Sequence, residues 1–176
     1  MAYHHGDLRR VVLDTAQRVI AESGPAALNL RDLARRAGVS HAAPAYHFGD
    51  KAGLLTAIAV EGYELLADAL AEAPGDLREL GVRYVRFALD HPAHFEIMFR
   101  PDLYHRDAAE VIAARDRAGR RLRAAVRTAR PGKPDLARLA AWSLAHGFTM
   151  LWRTGNLGDA DPAELFRAVA GQTFTT

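Results

Sequence analysis

An all-α protein is predicted by three observations. Apolar residues recur at spacings of three and four along almost the whole chain, Gly and Pro interrupt that pattern at short intervals, and no stretch alternates apolar with polar as a half-buried strand does. The first helix is expected over 7–23, with Asp7 as N-cap and Gly24-Pro25 as terminator; Leu8, Val11, Val12, Thr15, Ala16, Val19 and Ile20 form its buried stripe. Asn29 is placed to cap a second helix over 30–37, with Asp32 three residues on as in a capping box and Leu33, Ala34 and Ala37 on the inner face. Gly38 stands where the chain must reverse with positive φ, and Ser40 is expected to cap a third helix over 41–47. Pro44 falls in that helix's first turn, where a missing amide donor is tolerated.

A long fourth helix over 51–72 is ended by Pro74-Gly75, a fifth over 76–90 stops at His91-Pro92, and a short sixth over 93–99 is closed by Arg100-Pro101. The seventh, 103–129, is rich in Arg and Ala and ends at Arg130-Pro131-Gly132. The eighth follows Lys133-Pro134 and reaches Thr154-Gly155, and the ninth starts at Asp161-Pro162, a cap followed by Pro at the first turn. No Gly/Ser/Pro linker divides the chain, so a boundary between two functional parts is expected inside the fourth helix.

Composition narrows the class. At 176 residues, with 49% apolar and 25% charged content, the chain can bury a substantial core and is not of disordered type. The formal net charge of +2 is too small for a protein that coats nucleic acid by electrostatics alone. Residues 1–55 nevertheless carry seven Lys/Arg against five Asp/Glu, while 56–129 carry eleven against twelve. The small basic excess thus lies in the first part. No cysteine is present, which removes disulfides and thiolate metal sites and suits a reducing compartment. The amino terminus lacks the layout of a signal peptide. The longest uncharged stretch, fourteen residues from Leu139 to Trp152, is too short to span a bilayer, so a cytoplasmic protein is expected.

The segment 29–51 has the pattern of a helix-turn-helix: two caps flank one turn glycine, and small residues let a second helix cross closely. The run Arg31-Asp32-Leu33-Ala34-Arg35-Arg36-Ala37-Gly38-Val39-Ser40, followed by Phe48, Asp50, Lys51 and Leu54-Leu55, resembles the TetR family of transcriptional regulators. Further on, Ala141-Trp142-Ser143-Leu144-Ala145-His146-Gly147, preceded by Phe87-Ala88-Leu89-Asp90-His91-Pro92 and Met98-Phe99, resembles the Trp-His-Gly type of ligand domain in one branch of that family. The resemblance implies a helix-turn-helix DNA-binding domain over 1–50 and a ligand-binding and dimerisation domain over 51–176, about nine helices in all. It also implies a homodimer on a palindromic operator, repression as the usual mode, and release by a small-molecule effector.

In that arrangement the start of the third helix enters the major groove, bringing Ser40, His41, Ala42 and Ala43 nearest the bases. Ala42 and Ala43 can touch thymine methyls and His41 can donate to a guanine or a phosphate, a weakly polar reading surface. Positioning contacts are therefore expected from Arg31, Tyr46, His47 and Lys51 to phosphates. Lys51 also begins the fourth helix, whose free amides attract a phosphate. Where many members of the family place Tyr three residues before the Phe, this chain has Ala45, with Tyr46 displaced by one. Phe48 is expected in the core, and Arg35 and Arg36 on a solvated face.

For the second part, Leu136, Leu139, Ala140, Ser143, Gly147 and Met150 recur at helical spacing. Together with Leu165, Phe166 and Val169 they are the expected dimer face, a four-helix arrangement implied by the resemblance. An effector site is expected among Phe87, Phe95, Met98, Phe99, Trp142, His146, Phe148 and Trp152, apolar walls with one polar exception in His146, which suits a largely apolar small molecule. No cofactor, metal ion or membrane partner is expected. A metal-dependent enzyme is disfavoured: Pro92 interrupts the pair His91 and His94, no carboxylate completes a ligand set, and His4-His5 lies at a chain end. The remaining alternative is a helical small-molecule sensor that acts through protein partners.

Overall fold

The computed structural model describes residues 5–73, 75–130 and 132–173, with side chains from Leu8 onward. The described residues form α1 (His5–Ser23), a single 3-10 turn (Pro25–Ala27), α2 (Leu30–Ala37), α3 (Ala43–Phe48), α4 (Lys51–Ala71), α5 (Leu77–Asp90), α6 (Pro92–Met98), α7 (Ala109–Ala129), α8 (Pro134–Arg153) and α9 (Pro162–Thr173). The all-α prediction holds. α1 begins at His5, two residues before the expected cap, so Asp7 lies within the helix and is not its N-cap; the His4-His5 pair lies outside the described side chains.

Two compact units are present. The first comprises Met1–Gly62 with Pro92–Ala113, and the second Tyr63–His91 with Ala114–Thr176. α4 is therefore shared, passing from the first unit to the second at Gly62 and Tyr63. In the first unit α1 packs against α2, α3 and α6, and α2 against α3. Val12, Leu13, Ala16, Ile20, Leu28, Leu33, Ala34, Leu54, Leu55 and Ile58 are buried there, each almost wholly withdrawn from water. Val11, assigned to the stripe of α1, is exposed instead.

Capping explains most helix starts. The Asn29 side chain accepts from the amides of Arg31 (2.9 Å) and Asp32 (3.3 Å), and Gly38 ends α2 in the left-handed region at φ 67°. The reciprocal arm of a capping box is not made, because Asp32 turns to Arg35 and Arg36, both at 2.6 Å. Asp76 caps α5 through the amide of Arg78 at 3.0 Å, and Asp161 caps α9 through that of Glu164 at 2.8 Å.

Two starts differ from expectation for identifiable reasons. α3 begins at Ala43, not His41, and its N-cap is Ala42 without a side-chain bond, so Ser40 is not the cap. A helix begun at His41 would place Pro44 at its fourth position, two residues further in, where it lacks the amide that the Ser40 carbonyl would accept from and its ring meets that carbonyl; beginning at Ala43 leaves Pro44 second. Ser40 instead closes the preceding turn, its carbonyl accepting from the Ala43 amide at 3.0 Å. α7 begins at Ala109, six residues beyond the expected 103. The chain before it is held by tertiary bonds: the buried Tyr104 hydroxyl donates to the Met98 carbonyl at 3.1 Å, and the His105 amide donates to Thr56 Oγ1 at 3.0 Å.

In the second unit α5 packs against both α8 and α9. Phe166 fits the gap left at Gly81: a Cβ there would come 2.6 Å from Phe166 Cζ, and Phe166 also meets Phe148 edge to face at 5.2 Å between ring centres. Arg167 ties α9 to Glu79 of α5 at 2.7 and 3.1 Å.

Because the Phe166 ring is enclosed and cannot swing away, Gly81→Ala is expected to destabilise the second unit by about 1–3 kcal/mol. Thermal unfolding followed by circular dichroism measures it; an unchanged midpoint contradicts the described α5–α9 contact.

Candidate DNA-binding and effector sites

The outer surface of the first unit is built around a short helix fastened by its inner side. Ala43 and Pro44 are buried, whereas Ser40, His41, Ala42, Ala45 and Tyr46 are exposed, Tyr46 by 80%. The Ala43 of the expected base-reading set thus faces inward. His47 is half-buried, its ring edge-on to Tyr46 at 5.1 Å, and Arg31 is exposed on the first turn of α2. Phe48, expected in the core, is half-buried, with the Arg9 guanidinium 5.2 Å above its ring. Arg35 and Arg36 sit on the solvated face, bonded to Asp32, whose carboxyl they hold below its ordinary range.

The turn from α3 into α4 is tight. Gly49 adopts φ 77°, and a Cβ on Gly53 would overlap the Phe48 carbonyl oxygen. Asp50 caps α4, its Oδ1 accepting from the Gly53 amide at 2.8 Å. The amino end of α4 therefore already faces a carboxylate of its own chain, and Lys51, half-buried beside it, is the group left to attract a phosphate.

Deeper in the same unit, four polar side chains from three helices converge. Glu61 of α4 accepts from Arg10 and, at 2.8 Å, from Gln17 of α1, and its Oε2 lies 3.2 Å from Nε2 of the buried His94 on α6. Arg10 also bonds Asp14 at 2.7 Å. The bond from His94, and then that from Arg10, hold the Glu61 carboxyl at about 2 against an ordinary 4.5, over the opposing effect of burial. Sequence analysis missed this cluster: its members lie far apart in the chain, and only the spacing of Arg10, Asp14 and Gln17 along one helix face hinted at a shared surface.

The second unit holds an apolar cavity of about 40 Å³, lined by residues of α4, α5, α7, α8 and α9, among them Leu80, Gly81, Tyr84, Trp142, Ala145 and Phe166. At its wall the Tyr84 hydroxyl, bonded by Trp142, lies 2.8 Å from His146 Nδ1. Burial raises the Tyr84 phenol and lowers His146, so a protonated phenol is hydrogen-bonded to a neutral imidazole. No charge stands there. Of the eight residues expected at an effector site, Trp142 lines this cavity, His146 does not line it but is bonded to the lining Tyr84, and Phe148 and Trp152 stack at 6.2 Å on α8. Phe87 is buried on α5, with its ring 5.3 Å from that of His91. Phe95, Met98 and Phe99 belong to the first unit, with Phe95 and Met98 buried in it. Tyr84 and Phe166 were not expected at the site; Tyr84 sits on the apolar stripe of α5 and reads from sequence as an ordinary core ring.

The outward stripe of α8 is exposed and apolar: Leu136 by 62%, Leu139 by 49% and Met150 by 44%, with Ala140, Ser143 and Gly147 between them. Leu165 and Val169 are half-buried. Phe166, expected on the same face, points the other way and is 1% exposed inside its own unit. Among the described residues no three of His, Asp and Glu gather as metal ligands, and no helix is long and apolar enough to cross a membrane.

The first unit is thus a small helical head that exposes the outer side of its third helix, and the second is a helical unit containing an apolar cavity. Residues 12–58 match the family model described as bacterial regulatory proteins of the tetR family, and 77–172 match the tetracyclin repressor-like C-terminal domain. The chain belongs to the TetR family of transcriptional regulators, a family of regulators rather than enzymes. The Trp-His-Gly subtype is not part of the matching description. The chain is similar to a solved protein of unknown function from Rhodococcus sp. RHA1, at 34% identity over 99% of this chain and 96% of that one, with a TM-score of 0.81. It is also similar to the TetR family transcriptional regulator PfmR of Thermus thermophilus, at 27% identity over 93% and 96% of the two chains, TM-score 0.73. The HTH-type transcriptional repressor Rv3405c of Mycobacterium tuberculosis is 36% identical over 74 residues; the match covers 42% of this chain and only 39% of that protein's length.

Ionised Glu61 stabilises the first unit above about pH 4.5, and that contribution is lost as the pH falls from there toward about 2, because the depressed folded-state value means the unfolded chain takes up the proton first. Glu61→Gln is expected to destabilise the protein by about 1–3 kcal/mol at neutral pH, with the deficit shrinking as the solution is acidified through that window. Urea unfolding at stepped pH measures this; a deficit independent of pH contradicts it.

Proposed function

We propose that this regulator is a repressor that binds a palindromic operator as a homodimer and is released by a small, uncharged, largely apolar effector. The observation that carries the reading is the outer surface of the head: the turn before α3 offers Ser40, His41 and Ala42 to solvent, and α3, anchored by Ala43 and Pro44, offers Tyr46, 80% exposed, beside them. Ser40, His41 and Ala42 read base edges, with Ala43 supporting them from the inner side; Arg31, Tyr46, His47 and Lys51 hold phosphates. With so few base-reading groups, affinity rests on phosphate contacts and on the paired geometry of two heads about 34 Å apart.

The dimer face is the stripe Leu136, Leu139, Ala140, Ser143, Gly147 and Met150 of α8, joined by Leu165 and Val169 of α9. Contiguous apolar exposure along one face of α8 supports this assignment. The effector enters at the cavity beside Tyr84, Trp142 and His146, and neutral walls select against charged molecules. Functionally, 1–50 serves DNA and 51–176 serves effector and partner copy, with the continuous helix α4 running from one to the other. Each tenfold loss of operator affinity requires about 1.4 kcal/mol of differential effector binding between the two states. A cytoplasmic location follows from this role.

Selection from random duplexes should return a palindrome whose affinity falls steeply with salt. Tyr46→Ala and Lys51→Ala are each expected to weaken it about tenfold while leaving the dimer intact, and Leu139→Glu is expected to give monomers that bind far more weakly. Fluorescence anisotropy and sedimentation measure both. Absence of any preferred duplex, or unchanged affinity in both DNA-face variants, overturns this function in favour of a sensor acting through proteins.

A further inference from the structure

α4 and α6 cross at a point where no side chain intervenes. A Cβ on Gly62 would come 2.7 Å from Met98 Sδ and 3.0 Å from His94 Cβ, so the two helices meet backbone to side chain. Immediately beside the crossing, His94 (5% exposed) faces Glu61. Any change in the Glu61–His94 contact is therefore felt at the junction of α1, α4 and α6. The junction lies at the last residues of α4 that belong to the head.

We propose that this head is proton-responsive, with His94 titrating against Glu61 so that acidification tightens α6 onto α4 and α1. His94 faces Glu61 from α4, whose carboxylate is bonded by Arg10 and Gln17 of α1; Arg10 in turn bonds Asp14, while Glu96, also on α6, lies beside Gly24. With His94 neutral, Arg10 faces two carboxylates, Glu61 and Asp14, and the junction carries one surplus negative charge. Protonation cancels that surplus and turns an N–H···O⁻ contact, charged only on the acceptor, into an N⁺–H···O⁻ pair charged on both sides, which is stronger. Burial and the Arg10 charge act in the opposite sense, but Arg10 is already engaged by both carboxylates. An aliphatic side chain at this position would join the helices without any dependence on pH, whereas imidazole is the side chain whose ordinary titration lies between about pH 5 and 8. The helix whose first turn carries Lys51 and the Asp50 cap is the one being held.

The test has two arms. The first does not depend on the proposed DNA-binding function: ring resonances of His94 in the intact protein are followed from about pH 5 to 8, together with amide hydrogen exchange in α6 at the two ends of that range. The expected result is a titrating His94 and exchange in α6 at least about threefold slower at the acid end once intrinsic rates are corrected, with Glu61→Gln abolishing the difference. A His94 that does not titrate in this range, or α6 exchange that is unaffected by pH, overturns the proposal outright.

The second arm rests on the proposed function and compares operator affinity at about pH 5.5 and 7.5 in wild type, His94→Gln and Glu61→Gln. His41 and His47 of the DNA face remain in every variant, so only the difference in slope counts. Wild type is expected to change by at least about threefold more than either variant. Equal slopes overturn the link between the latch and DNA. Failure to find an operator at all, with the first arm positive, is a failure of the repressor reading alone. If His94→Gln does not fold, Glu61→Gln and the wild-type titration decide.

Discussion

The arrangement of the head depends on one constraint: α4 must approach α6 closely enough that only a glycine fits between them, at Gly62. With α6 drawn in, the chain that follows is fastened too, through Tyr104 to the Met98 carbonyl and through the His105 amide to Thr56 of α4. A segment distant in sequence thus becomes part of the unit that carries α2 and α3. The same close approach brings polar groups together: Glu61, one residue before the glycine, meets the buried His94 on one side and Arg10, which is exposed, on the other. Part-buried polar contacts of this kind contribute less to stability than apolar ones of equal area, but they favour one mutual orientation of the helices.

The second unit is organised differently. Its centre is aromatic, with Phe166 filling the space over Gly81 and meeting Phe148, and its polar groups form a single uncharged chain from Trp142 through Tyr84 to His146. An environment that keeps a phenol protonated and an imidazole neutral discriminates by shape and hydrogen bonding, not by charge. The two units therefore differ in their polar chemistry: the head joins its helices through ionised groups, and the cavity of the second is lined without them.

Much of this was legible beforehand. Helical periodicity with Gly and Pro punctuation indicated every helix, and the caps at Asn29 and Asp161 and the left-handed turn at Gly38 were read from residue type, since each depends on chemistry within four residues. The outward stripe of α8 was likewise visible as spacing. Illegible were features made by distant partners: the late start of α7, the inward turn of Phe166, the separation of Phe95 and Met98 from Trp142 and His146, and the gathering of Arg10, Gln17, Glu61 and His94. The displaced cap of α3 is an intermediate case, for Pro44 contained the necessary information but its consequence for Ser40 was read the wrong way.

By itself, then, the sequence determined the helical class, the position of the turn before the exposed helix, and the apolar faces, because these follow from backbone preference and from the period at which side chains repeat. Tertiary structure alone decided which polar residues meet and which way each aromatic ring points. Those outcomes depend on the angle at which helices cross, and that angle is set by contacts between residues such as Gly62 and Met98 or Gly81 and Phe166, whose proximity leaves no local trace in the chain.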